Sequence, residues 1–590
     1  MIRMRPGLTG PLTVGAGALL ALTLAPYTAH SVTLWVVYGL LALSFTFVWG
    51  HGGIFSLGQA AFFGIGGYAY GVAGINLVPS TGESLSSLLI AALVAAAVAA
   101  LLGYFVFYGD VGDVYLAVIT IATTLVLLTF FASTSDSTYR IGNALLGGYN
   151  GMVGIPGLVL PGGQRLTANG VLAVVVLIAG GVAIGIAVLL RRPFGRVLAG
   201  IRENEVRTQL LGYEVRARKL GAFVIGGFVA GLAGALYAAW GNFINPQVFS
   251  LQQASLVAIW TLVGGRRSIP GAFAGAFAVQ ALSDYLGGVT EGAVIPAVLG
   301  AILLVVVLFL PEGVLHPLRE RVLSAVRKGT DLDLGVAESD PDPEAAFGRD
   351  ATPASRVRTV DVQKRFGGLR VLRGVTLDVA PNEVRTVIGP NGAGKSTFFG
   401  LLTGRHRPDA GEILLDGVRL NRLRPEKRAR LGLGIKTQVP SIYPELSVAE
   451  NVWIAAYGAG PDAEKRVAEV LAGLRLTGKA QLPAGALAHG EQQWLEIGMV
   501  LVRRPRVVLL DEPTAGMTRA ETSRYVELIA VLARSATVLV VEHDMEFVRD
   551  LGAPVTMLHE GTVFAEGSIA ELRADDRVLD VYLGRAKADA

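Results

Sequence analysis

The 590-residue chain contains no cysteine. That absence excludes disulfides, thiolate metal sites and cysteine nucleophiles, and it leaves the compartment open. Charge is scarce as well: Asp, Glu, Lys and Arg make up 17% of the residues, against about 25% in ordinary soluble domains. A net charge of +4 is small for this length, so nothing in the charge balance points to nucleic acid. What the chain has instead is apolar residues, 52% of the total, with a mean hydropathy of +0.52. The excess is uneven. Residues 1–312 hold repeated long apolar runs, whereas 357–590 read as a charged domain suited to water. Two halves built for different solvents follow, a multi-domain chain with an α-helical membrane half and a soluble half.

A helix that crosses the hydrocarbon core needs about 20 mostly apolar residues. Candidate spans are 11–25, 31–49, 54–76, 86–108, 114–133, 170–190, 220–241, 251–265, 271–287 and 293–311, eight to ten in all once the short ones are weighed. The first run follows MIRMRPG and mimics a signal peptide with a small-residue site near Ala29. More spans follow at once, so it reads as an uncleaved first helix. Basic loops set the orientation. The loop 191–219 carries Arg191, Arg192, Arg196, Arg202, Arg207, Arg216, Arg218 and Lys219 against three Glu. Arg266 and Arg267 mark another cytoplasmic turn, and Arg319, Arg321, Arg327 and Lys328 follow the last span. Both ends of the membrane half then lie on the cytoplasmic side, which requires an even number of spans, and ten satisfies it. Region 50–75 is dense in glycine and carries Gln59 in an apolar setting. Helix packing accounts for the glycines; a buried amide is costly and marks a candidate substrate path.

Residues 329–350 hold seven acids, one Arg and two prolines, with almost nothing to bury. Such a composition makes a self-repelling tether. The expected domains are therefore 1–315 in the membrane, 316–356 as a basic then acidic connector, and 357–590 as the soluble domain.

In that soluble half GPNGAGKST, residues 389–397, follows the strand-like run Val384 to Ile388 and precedes a helix. Glycines let successive backbone N–H groups curl around phosphate oxygens, and the helix N-terminus adds positive potential. Lys395 can then neutralise the β- and γ-phosphates of ATP, and Ser396 can ligate Mg²⁺. RVVLLDEP, 506–513, is an apolar run ending in two carboxylates. Asp511 suits the Mg²⁺ shell and Glu512 suits polarising the attacking water. His543 ends the apolar run of VLVVEHD and is a candidate γ-phosphate contact. A structural acid or a capping His is the bland reading of each one alone; their order and spacing argue against it jointly.

Between these motifs lies LAHGEQQWLEIGMVL, 487–501. With GPNGAGKST, LLDEP and EHD it resembles the signature of ATP-binding cassette (ABC) ATPases over about 357–585. The resemblance implies an α/β P-loop ATPase of that type. It implies an ATP site formed by Gly389, Pro390, Asn391, Gly392, Ala393, Gly394, Lys395, Ser396 and Thr397, with Phe366 stacked on adenine. Glu512, His543 and Gln438 are the implied catalytic residues, and Ser396, Gln438 and Asp511 the implied Mg²⁺ ligands. Leu487, Ala488, His489, Gly490 and Glu491 would contact the nucleotide held by an opposite ATPase subunit. Two positions depart from the family pattern: Ala488 stands where the signature usually has Ser, and Thr518 where an Asp usually follows the acidic pair.

AHGEQQWLEIG, DEPTAGMT and EHDMEFVRDL look most like the urea-type branch of the branched-chain amino-acid importers. SLGQAAFFGIGGYAYG, GGYNGMVGIPG, FGRVLAGIRENEVRTQLLGYEV and INPQVFSLQQASLVAIWTLVGGRRSIPGAFAGA are similar to permeases of the same family, across about 30–315. There Gln59 replaces the usual His after SLG. The family implies a bacterial inner-membrane importer half for branched-chain or other hydrophobic amino acids, urea or short amides. It implies an extracytoplasmic binding protein, a second permease, a second ATPase from a different chain, and a coupling helix within 194–215. An ABC exporter is the alternative. Exporters usually show six long helices that reach into the cytoplasm, unlike these shorter, glycine-rich spans.

Overall fold

Each of the ten apolar runs becomes a helix. The computed structural model describes residues 9–109, 111–289, 294–309, 353–457 and 463–583. The acidic stretch 329–350 and the basic group Arg319, Arg321, Arg327 and Lys328 lie outside the described residues. The ten helices are Thr9–Ala21, Pro26–Phe45, Gln59–Thr81, Leu85–Tyr108, Asp113–Ser133, Ala168–Arg191, Val215–Gly241, Leu251–Gly264, Ile269–Val289 and Val294–Phe309. Among the described residues six segments are long and apolar enough to cross a membrane: Pro26–His51, Gln59–Thr81, Leu85–Tyr108, Val114–Ser133, Ala168–Arg191 and Val215–Gly241. Gly10–Ala21 and Leu251–Gly264 are apolar but shorter.

One run is shifted from its expected place. The 54–76 segment forms a helix over Gln59–Thr81 instead. Gly53 has φ +70°, a left-handed conformation that glycine adopts freely, and Ser56 Oγ accepts from the Gly58 N–H at 3.2 Å. The chain therefore turns before Gln59, which becomes the first helical residue. Gln59 is buried; its Oε1 accepts from Ser44 Oγ at 3.2 Å and its Nε2 has no hydrogen-bond partner.

The glycines do pack helices. A Cβ on Gly66 would stand 2.1 Å from the Gly231 carbonyl oxygen, and one on Gly234 would stand 1.8 Å from that of Phe63. The helices Gln59–Thr81 and Val215–Gly241 thus meet backbone to backbone, as small residues allow in lipid.

Contacts divide the chain into two units, Met1–Arg202 with Arg216–Leu332, and Glu203–Val215 with Asp333–Ala590. In the second unit six strands form one sheet in the order Leu433–Lys436, Val507–Asp511, Thr537–Val541, Val384–Ile388, Val555–His559, Thr562–Gly567. The first five are mutually parallel and the last is antiparallel. Val507–Leu510 and Thr537–Val541 are buried throughout, as expected of strands covered on both faces. A second, antiparallel sheet holds Val418–Arg419, Ala410–Leu415, Val357–Phe366 and Leu369–Val379. Val387, Leu509, Leu539, Phe398 and Leu402 share one apolar core with Leu210 from the 203–215 segment. In chain order a bundle of apolar helices is followed by an α/β unit built on a six-stranded, mostly parallel sheet.

Candidate active site

The carboxyl ends of the central parallel strands gather the expected residues, as ligand sites do in open α/β sheets. After strand Val384–Ile388, Gly389 to Gly394 form a loop that leads into the helix Lys395–Thr403. Gly392 and Gly394 have φ +84° and +101°, values a side chain disfavours, so the loop needs glycine to curl. Asn391 and Ser396 are exposed, Ala393 is buried and Thr397 lies half-buried. Lys395 is mostly buried; its Nζ donates to the carbonyls of Gly389 at 2.6 Å and Pro390 at 3.1 Å. Burial lowers its pKa, and the charges of Glu512 and Asp511 pull it back.

Asp511 ends its strand, and Glu512 follows in a left-handed conformation, φ +45°. That geometry is costly for a residue with a side chain and is characteristic of functional turns. Burial pushes the Asp511 carboxyl up to about 6, helped by Glu512 and opposed by Lys436 and Lys395. Such a carboxyl gains from a nearby cation. With the exposed Ser396 hydroxyl, the oxygen donors fit a hard divalent ion that also binds phosphate. Gln438 Nε2 donates to Glu512 Oε2 at 2.7 Å, and His543 Nδ1 lies 3.7 Å from the same oxygen. Gln438, Glu512 and His543, 105 residues apart in sequence from first to last, converge on one carboxylate. Phe366 ends an antiparallel strand with its ring partly exposed, edge-on to His406 at 5.1 Å and with Lys364 Nζ 5.3 Å from its centroid.

The signature residues sit at the start of the helix His489–Leu501. Ala488 occupies the N-cap position without a side-chain acceptor, while Glu491 reaches back to accept from the Ala488 N–H at 3.2 Å. Half of a capping box is present. A Cβ on Gly490 would stand 2.7 Å from Glu521 Oε1. Glu521 in turn closes a full capping box with Thr518, the residue that replaces the usual Asp. Thr518 is thus occupied as a helix cap. We expect Ala488→Ser to complete the box at the signature helix and stabilise the ATPase unit by about 0.5–2 kcal/mol. Chemical denaturation measures this; an unchanged midpoint would show that the serine hydroxyl does not cap.

Several interactions escaped sequence reasoning. Glu542 is fully buried and accepts from Thr514 N–H and Oγ1 at 3.1 and 2.6 Å, and from the His543 N–H at 2.9 Å. It ties the turn after Glu512 to the turn that carries His543. The acid in VVEHD was the available signal. Arg207 is buried against Glu496: Nη1 lies 3.4 Å from Glu496 Oε1 and 2.9 Å from the Ile435 carbonyl, which accepts its hydrogen bond, and Nη2 donates to the Glu496 carbonyl at 3.1 Å. Glu496 Oε1 also accepts from the N–H and Oγ1 of Thr437, both at 3.0 Å. Thr437 precedes Gln438, and Glu496 lies on the signature helix. Nothing local in the sequence pairs positions 207 and 496. Thr208 and Tyr443 hydroxyls meet at 2.8 Å, and Tyr213 Oη donates to the Ile454 carbonyl at 2.5 Å. The 203–215 segment is therefore held within the second unit by polar contacts as well as by the buried Leu210.

A model of the family "ABC transporter" matches residues 372–515, and one described as "Branched-chain amino acid transport system / permease component" matches 27–310. The ATPase unit is 36% identical over 242 residues to the high-affinity branched-chain amino acid transport ATP-binding protein BraF of Pseudomonas aeruginosa, covering 38% of this chain and 95% of that one. It is 35% identical to the corresponding LivG of Escherichia coli, with the same coverage. A nucleotide-free ATP-binding cassette of known structure aligns at 26% identity over 39% of this chain and 98% of its own, with a TM-score of 0.36. The chain belongs to the ABC transporter family, and its ATPase couples ATP hydrolysis to transport. Within that family it joins a branched-chain amino-acid-type permease and its ATP-binding component in one polypeptide.

Proposed function

We propose that the chain is one half of a bacterial importer for branched-chain or other hydrophobic amino acids, with urea and short amides as further candidates. The permease match over 27–310 carries this reading, supported by relatives whose names specify branched-chain amino-acid transport. The ATPase faces the cytoplasm, the helical half lies in the inner membrane among lipid, and an extracytoplasmic binding protein delivers the substrate.

In this reading the glycine-rich loop cradles the phosphates and Lys395 offsets their charge. Glu512 orients the attacking water, held by Gln438 and faced by His543. Ser396, Gln438 and Asp511 would hold Mg²⁺, whose positive charge would offset that of the phosphates. Phe366 offers its exposed face to adenine. Leu487 to Glu491 complete a second nucleotide site on a partner. One phosphate loop and one signature per chain call for a partner ATPase, and Ala488 calls for an unequal one, because two copies would leave both sites without the signature hydroxyl. A second permease and ATPase of a different chain satisfy this. A hydrogen bond to a charged group is worth roughly 1.5–3 kcal/mol, so Ala488→Ser should raise hydrolysis at the site it faces by about tenfold or more. Native mass measurement of the assembly, together with that rate, checks both points. A fully active homodimer would sink the first and an unchanged rate the second.

The direct test is ATP-dependent uptake of labelled leucine into proteoliposomes with ATP enclosed and the binding protein outside, using urea and acetamide as competitors. Accumulation is the expected result. ATP-driven loss of preloaded substrate would instead establish export.

A further inference from the structure

The ATPase unit contains a cavity of about 450 Å³ at the end of the parallel sheet opposite Asp511. Its walls come from the start of strand Leu433–Lys436, the turn after helix His489–Leu501, and Leu210 and Leu211. Five arginines line it, Arg207, Arg430, Arg503, Arg504 and Arg506, and among the described residues no acid does.

Of Arg207, Arg430, Arg503 and Arg506, two face carboxylates and two face backbone carbonyls. Arg207 faces Glu496, and Arg506 faces Asp416 at 2.7 Å. Arg430 Nε donates to the Gly212 carbonyl at 2.8 Å and Arg503 Nη1 to that of Ala455 at 3.3 Å. A carbonyl fixes a guanidinium's direction but brings no counter-charge. Burial lowers the Arg503 pKa, and Arg430, Arg207 and Arg466 add repulsion. The Nε of Arg207 is buried without a hydrogen-bond partner.

The backbone accommodates this crowding. Gly212 has φ +84°, and a Cβ there would stand 3.1 Å from Arg503 Nη2 and 3.4 Å from Arg430 Cγ. Arg504 has φ +51° just past the helix end, where glycine is the usual residue. Strain of this kind clusters at ligand sites.

We propose that this cavity binds a small anion through a phosphate group. Guanidinium forks match phosphate oxygens in pairs, and the two carbonyl-held arginines suit a dianion. The volume is several times that of free phosphate, which favours a phosphomonoester over the inorganic ion. Because Arg207, Leu210 and Leu211 belong to the 203–215 segment, the ligand would also favour the seated arrangement of that segment. The proposal does not depend on the direction or substrate of transport.

The test is calorimetric titration of the full-length Lys395→Ala protein, which lacks the phosphate-loop ammonium, with inorganic phosphate and separately with glucose 6-phosphate. Saturable one-site binding of at least one probe is expected, weakened about tenfold or more by Arg430→Gln with Arg503→Gln. Arg430→Lys should lose less. Tighter binding of glucose 6-phosphate identifies a phosphomonoester site; equal affinities identify the phosphate group alone as the ligand. Absence of saturable binding by both probes overturns the proposal, as does an affinity unchanged in the double variant. Should that variant fail to fold, Arg430→Gln alone serves, since its side chain is exposed, and an affinity equal to that of the parent protein overturns the proposal equally.

Discussion

Glu512→Gln should cut ATP hydrolysis by at least about 100-fold while ATP binding stays near its original strength. The amide keeps the shape of the carboxylate and can still accept from Gln438 Nε2, which donates to Glu512 at 2.7 Å. What it loses is the negative charge that the proposed mechanism uses to polarise water. Lys395→Ala acts differently. In the proposed role its ammonium offsets phosphate charge, so nucleotide affinity should fall by about tenfold or more, and hydrolysis with it. Transport should vanish in both variants, while insertion into the membrane proceeds. Radiolabelled ATP binding, phosphate release and uptake, measured on the same preparations, separate the two effects. Near-normal hydrolysis by Glu512→Gln would remove that residue from the catalytic role.

Arg207→Ala should destabilise the ATPase unit by about 3–5 kcal/mol, because it strands the buried Glu496 carboxylate. Both side chains are almost fully buried, at 1% and 0% exposure, so solvent does little to screen them. The second consequence is functional. Glu496 Oε1 also holds Thr437, whose neighbour Gln438 bonds Glu512. The ion pair therefore links the 203–215 segment to the strand end before Gln438 and to the signature helix. Replacing both partners, Arg207→Met with Glu496→Met, should recover most of the stability, since a buried pair is often no better than apolar packing. It should not recover stimulation of ATP hydrolysis by substrate-loaded binding protein. Denaturation midpoints report the first effect and stimulated against basal rates the second. Full stimulation in the paired variant would show that the segment signals by shape alone.

Legibility differed between the two halves for a physical reason. Apolar runs announce their helices, because nothing else satisfies the backbone in lipid, and all ten runs form helices. Their edges were less readable: glycine and serine turns before Gln59 moved one helix by five residues at its start, from 54 to 59. The phosphate loop and the Asp511–Glu512 pair were visible because each motif is contiguous and its chemistry demands those residue types at those spacings. Thr518 was read as a lost acid; the tertiary structure gives it a helix to cap.

What sequence alone determined was the helical and α/β character of the two halves, the place of the phosphate-loop motif and the transporter family. These rest on periodicity, composition and contiguous motifs, all of which are local. Only the tertiary structure brought Gln438 and His543 onto Glu512, seated Arg207 against Glu496 across 289 positions, and gathered five arginines along one cavity. Contacts between distant residues leave no pattern in a single chain. Packing of the parallel sheet and of the helices around it sets them.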